Sequence, residues 1–191
     1  MVSNQGRNLA IAIMGGLVVG AVTSLVDVGG APLTYYFLQF NSLVNQGWYW
    51  QLFTSLLVVF PNSLGAVDVL FNAIAVIWLD GLLSDAFSPT EYYALFVASG
   101  LAGNLLSLLN GPREISFGAS GGIFGLLAGA VALDYAVKGR VDYQLLVWFI
   151  AVFYISSVGL SYVDWLAHLG GALLGLCAGY VIGRGRTPSA P

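Results

Sequence analysis

Histidine and cysteine each occur once in the 191 residues, as His168 and Cys177. A lone cysteine excludes an internal disulfide, and a lone histidine excludes the His/Cys clusters that hold zinc. Charged residues make up only 8% of the chain, against about 25% in a soluble domain. With 58% hydrophobic residues and a mean hydropathy of +0.85, there is too little polar surface to cover a water-soluble globule. The 6 Lys+Arg and 9 Asp+Glu give a net charge of −3 with no basic run. Nothing here tracks a phosphate backbone, so no nucleic-acid partner is expected. No metal or organic cofactor is expected either. What remains is a polytopic membrane protein whose first partner is the lipid bilayer.

A membrane-crossing helix needs about 20 mostly apolar residues. Six stretches qualify, roughly 9–26, 66–83, 92–109, 118–137, 145–160 and 165–182. Arg7 ahead of the first run has the look of a secretory signal. That run is longer than a signal core and lacks a small-x-small cleavage site, so a retained helix is expected. With the N-terminus inside, the inner segments hold Arg7, Lys138, Arg140, Arg184 and Arg186, and the outer ones only Arg113. This is the asymmetry of the positive-inside rule. Five or seven helices would put Arg184 and Arg186 on the opposite side from Arg7. The expectation is an all-α bundle of six transmembrane helices, a single domain over 1–185 with a disordered tail over 186–191. It would be a multi-pass protein of the cell membrane with both termini cytoplasmic.

About forty residues, 27–65, separate the first two helices, and they are neither polar nor repetitive. They carry Pro32 and Pro61, then Tyr35, Tyr36, Phe37, Phe40, Trp48, Tyr49 and Trp50. Such aromatics suit the headgroup interface, where one ring edge is wet and the other is not. Short interfacial helices dipping into the outer leaflet are expected, which makes this a membrane-embedded first loop.

The fourth helix opens with Gly118-Ala119-Ser120-Gly121-Gly122-Ile123-Phe124-Gly125, and the sixth contains Ala167-His168-Leu169-Gly170-Gly171-Ala172. Two series at four-residue spacing follow: Gly121, Gly125, Gly129 and Gly171, Gly175, Gly179, Gly183. Each lies on one helical face, where small residues let two backbones approach closely. A glycine stripe alone is packing. Here each one sits directly behind a polar residue capable of chemistry. By helical rise, Ser120 and His168 both fall in the outer third of the bilayer. If the two glycine faces pair, hydroxyl and imidazole come within hydrogen-bond reach, as a base-activated nucleophile requires. Intramembrane ionisable residues are functional candidates by default.

Gly118-Ala119-Ser120-Gly121 with Phe124 and Gly125, together with Ala167-His168-Leu169-Gly170-Gly171 and Gly175, resembles the rhomboid intramembrane serine proteases. The likeness runs from about Trp50 to Gly179, and the long first loop fits the family's membrane-embedded loop. A GxSG alone is common, whereas one paired with a late AHxGG helix is specific. The resemblance implies a six-helix rhomboid-like fold with Ser120 as nucleophile and His168 as general base. It further implies that Phe124 packs on the histidine ring and that Gly171 allows helices four and six to meet. Asn72 matches the family's oxyanion asparagine, and Gly118 and Gly121 flank the nucleophile. Single-pass transmembrane proteins are the implied substrates, cut near the outer face.

The chain departs from the family twice. Asp68 stands where a histidine is expected four residues before Asn72, on the same helical face. An ionised carboxylate there would repel a developing oxyanion, and a protonated one could donate to it. The expected position is the wet mouth of the site, solvated. The family's Trp-Arg in the first loop is Trp50-Gln51 here, which bears on how the loop is anchored more than on the chemistry. Asp164, one turn before His168, reads as an exposed helix-start charge rather than an orienting group. Ser156, Ser157 and Ser161 lie near the end of helix five with no base in view, and Cys177 reads as a small packing residue.

Rival chemistries fare worse. A zinc protease needs His-Glu-x-x-His. An aspartyl protease needs facing carboxylates, and Asp68 and Asp80 lie about 18 Å apart along one helix. A transporter would want more intramembrane charge or broken helices. The remaining alternative is a catalytically weak or silent relative that binds transmembrane helices without cutting them. Such a relative would be expected to lose Ser120 or His168, and both are present.

Overall fold

The structure, a computed structural model, describes residues 2–158 and 163–186. It is an all-α membrane bundle built on six apolar helices: α1 (Asn4–Ser24), α2 (Ser63–Ala86), α3 (Pro89–Ser107), α4 (Ser120–Lys138), α5 (Tyr143–Val158) and α6 (Trp165–Gly185). Five are long and apolar enough to cross a bilayer, and α5 is the short one. Helices are what hydrocarbon demands, because every backbone group must find its partner inside the segment.

Side-chain caps mark the helix starts. Ser3 accepts from Gly6 N–H, Asn62 from Gly65 N–H and Asp164 from Ala167 N–H, while Ser88 and Glu91 form a capping box ahead of Pro89 at N1. These caps satisfy otherwise orphaned amides. They also explain why helices begin outside the apolar runs: α1 starts at Asn4, not near residue 9, because Ser3 caps the polar first turn that follows it. Positions 159–160 of the expected fifth helix, Ser161, and 187–191 of the expected tail lie outside the described residues.

The middle of the bundle is α4, whose residues from Gly121 to Leu133 are all buried. Around it, Ile13, Val76, Leu83, Tyr92, Phe96 and Leu126 form one continuous core. Large apolar side chains on the outer faces, such as Val18, Phe71, Trp78 and Val181, are exposed. That is the surface a lipid solvent requires. Cys177, expected to pack inside, is exposed on α6, because the glycine face of that helix points the other way.

Both ends of the bundle are tied. At one, Asp80 of α2 accepts from the backbone N–H and hydroxyl of Ser3, and Arg186 pairs with Glu91 at 2.7 Å while donating to Ala86 O. This is the termini end. At the other, the long loop folds over the helices as single turns, Leu33–Tyr36, Asn41–Val44 and Gln51–Thr54. Its strand-like pair Gln39–Phe40 bonds antiparallel to Ile115–Ser116. Buried amides fasten it: Gln39 donates to Asn104 O, Asn41 to Ser107 O, and Asn104 to Leu52 O and Ser55 Oγ. Gln51, where the resemblance implies an arginine, is fully buried. It accepts from Phe40 N–H at 3.0 Å and donates to Tyr35 O at 3.1 Å. A neutral amide thus holds the loop at this position. Trp50 donates to Tyr36 O and stacks on Trp48.

Candidate active site

Ser120 is the first residue of α4, at the loop end of the bundle. The chain reaches it through Gly118, whose φ of +109° is a conformation that side-chain-bearing residues rarely adopt. Gly118 N–H donates to Ser55 O at 2.8 Å, so the turn that presents Ser120 is propped by the first loop, which Asn104 holds in turn. At the start of a 19-residue helix the first amides have no intrahelical acceptor. They point, with the positive end of the helix dipole, to the space beside Ser120.

His168 stands one turn into α6, 4% exposed. Its Nε2 lies 2.8 Å from Ser120 Oγ. The ring rests on Phe124, with centroids 4.6 Å apart, and Phe153 of α5 closes a second side at 6.4 Å. The two aromatic walls leave the imidazole few orientations.

The backbone approach behind this contact comes from the glycines. A Cβ at Gly171 would collide with the backbone of Gly121, one at Gly175 with Gly125, and one at Gly179 with Gly129. The two stripes interlock as a seam along α4 and α6. Gly125 is also hemmed in by the Ser99 side chain of α3. On the other flank of α6, a Cβ at Gly170 would strike Ala102 and Gly103, so the helix carrying His168 is clasped between α3 and α4.

Asn72 and Asp68 come from α2. Asn72 is buried. Asp68 lies against the Ser120 turn: a Cβ at Gly118 would sit 2.6 Å from Asp68 Oδ2. That oxygen is buried and has no hydrogen-bond partner among the described residues. The solvated position expected for Asp68 is therefore corrected for this oxygen, because the Gly118 turn covers it.

Two further expectations are corrected. Asp164 is not a free helix-start charge: it caps α6, and it accepts from Ser107 Oγ and from Asn110 Nδ2 at 2.8 Å. It thereby fastens α6 to the end of α3. His168 N–H donates to the Asp164 backbone carbonyl at 3.3 Å, but among the described residues the carboxylate makes no hydrogen bond to the imidazole. Ser157, which seemed to lack a base, has its Oγ 2.8 Å from His168 Nδ1. Its signal in the sequence was no stronger than that of its neighbour Ser156, whose hydroxyl bonds to Val152 O in its own helix. No cluster of His, Cys, Asp and Glu suited to a metal occurs among the described residues.

Residues 46–185 match the family model of the Rhomboid domain. RHOMBOID-like protein 1 of Arabidopsis thaliana is 30% identical over 149 residues, 75% of this chain and 37% of that protein. The Rhomboid protease GluP of Bacillus subtilis is 26% identical over 75% of this chain and 28% of its own length. The Putative rhomboid protease YdcA of the same organism is 25% identical over 75% of this chain and 70% of its own. The chain spans well under half the length of the Arabidopsis protein.

Proposed function

The chain belongs to the rhomboid family, and from that membership and the geometry of its polar residues we propose that it is an intramembrane serine endopeptidase working through a Ser120–His168 dyad. The observation that carries this reading is the 2.8 Å contact between Ser120 Oγ and His168 Nε2, made at a helix start and between aromatic walls.

In the proposed reaction Ser120 Oγ attacks a peptide carbonyl as His168 Nε2 takes its proton. The amides that begin α4, with Asn72, receive the oxyanion. His168 then returns the proton to the leaving amine as the C–N bond breaks. Water, activated by the same imidazole, hydrolyses the acyl-enzyme and restores Ser120. None of these steps uses a metal or organic cofactor. Substrates are single-pass transmembrane proteins, cut where their helix unwinds, because an intact helix hides its peptide bonds. We place both termini in the cytoplasm of a cell whose plasma membrane carries the protein as one domain over 1–185, which turns the dyad toward the outer face.

The test is cleavage of a single-pass model substrate by the detergent-solubilised protein. Ser120→Ala and His168→Ala are each expected to abolish cleavage with the fold intact, since a nucleophile without its base acts as no nucleophile. Normal cleavage by either variant rejects the dyad. A folded but inert wild type would favour a silent, helix-binding relative.

A further inference from the structure

We propose that Ser157 is a positioning residue for His168: it accepts the hydrogen bond from Nδ1–H and so holds the imidazole in the tautomer a base needs. This rests on the dyad reading above. A neutral histidine can take the Ser120 proton only if Nε2 carries the lone pair and Nδ1 the hydrogen. With His168 4% exposed, an Nδ1–H needs an acceptor inside the protein. The Phe124 and Phe153 rings that wall the imidazole offer no oxygen. The carboxylate of Asp164, one turn away, is already engaged by Ala167 N–H, Ser107 and Asn110. What stands at Nδ1 is Ser157 Oγ, 2.8 Å away and itself only 5% exposed. Among the described residues Ser157 has no other side-chain partner, whereas adjacent Ser156 is spent on its own helix.

The bond carries a second consequence. Val147, Trp148, Ile150, Tyr154 and Ile155 turn outward from α5, which reaches the dyad through the Phe153 ring and, as its polar contact, Ser157. Displacing α5 would release Nδ1, and with it the tautomer preference, even where Ser120 and His168 stay in place. When His168 becomes imidazolium, both ring nitrogens hold hydrogens, and the Ser157 bond strengthens as a charge-assisted one. Stabilisation that grows toward the transition state belongs in kcat.

Because these 191 residues hold one histidine, nitrogen-15 imidazole NMR of this chain without a histidine tag reports on His168 alone. The wild type is expected to show the Nδ1-protonated form, Ser157→Ala a mixture with the Nε2-protonated form, and Ser157→Thr the wild-type pattern. In cleavage assays Ser157→Ala should lower kcat on the order of 10-fold, well short of the ~10⁴ lost when a triad's orienting carboxylate is replaced, because Ser157 is a neutral partner. KM should be unchanged, and Thr should restore the rate. A wild-type tautomer pattern in Ser157→Ala overturns the proposal whatever its rate, as does a fall in kcat that Thr does not restore. If the wild type cleaves nothing, the proteolytic reading fails while the spectra still decide whether Ser157 sets the tautomer.

Discussion

Asp68 puts a carboxylate against the very turn that delivers Ser120, with Oδ2 covered by Gly118 and without a hydrogen-bond partner among the described residues. A carboxylate oxygen accepts hydrogen bonds, and the tetrahedral intermediate beside it would bring another oxygen with developing negative charge. Asp68→Asn keeps the shape and replaces one acceptor oxygen by a permanent N–H donor. The expected outcome is a kcat/KM raised by up to about 10-fold, part of the 10²–10³ that one oxyanion donor supplies. Steady-state cleavage of the model substrate measures it, and a rate below wild type would show that the carboxylate itself is used. The same residue marks a limit of sequence reading. Helical spacing puts Asp68 on the Asn72 face, but its solvent exposure depends on a glycine fifty residues away. Ser157 was likewise invisible, because serine in a membrane helix most often bonds to its own backbone.

The α4–α6 seam is the element on which the site's geometry depends. Its glycines differ sharply from others in the same helical bundle: a Cβ at Gly171 would overlap the Gly121 carbonyl, whereas at Gly15 or Gly81 nothing lies within 4 Å. Gly171→Ala is therefore expected to lower thermal stability by about 1–3 kcal/mol through overpacking. It should also reduce cleavage on the order of 100-fold, the cost of about 1 Å of misplacement at a reacting pair. Gly15→Ala should be neutral or stabilising by up to about 1 kcal/mol, as alanine is the better helix former. Melting curves and rates measured side by side decide the matter; equal effects at positions 171 and 15 would detach the seam from the dyad. The seam was legible in advance because four-residue spacing fixes a helical face without any tertiary knowledge. The loop that supports Gly118 was not. Asn104→Ala is expected to lose about 1–3 kcal/mol, since Leu52 O and Ser55 would lose their buried donor, and nothing near Asn104 in the chain announces that role.

At the scale of the whole molecule, the helices follow from composition, which is why six apolar runs suffice to lay out the bundle. The internal fold of the first loop could not be read that way. Gln39 reaches the backbone of Asn104 across 65 positions, and such bonds leave no local pattern. The two kinds of information meet in the pairing of the ends. Ser3 with Asp80, and Arg186 with Glu91, gather the start of α1, the end of α2, the start of α3 and the end of α6 at one end of the bundle. Ser120, His168 and the loop lie at the other. Arg7, Lys138, Arg140, Arg184 and Arg186 belong to the termini end, and under the proposed orientation the positive-inside rule sends that end to the cytoplasm. Single cysteines test this in a Cys177→Ala background. Pro112→Cys, in the α3–α4 connection, should react with a membrane-impermeant maleimide on intact cells. Tyr143→Cys, at the start of α5, should react only after permeabilisation. Neither substitution alters charge, so neither biases the insertion it reports. The reverse pattern would turn the dyad toward the cytoplasm and move the proposed cleavage to the inner face. Labelling of both on intact cells would mean that the helices do not alternate as the bundle requires.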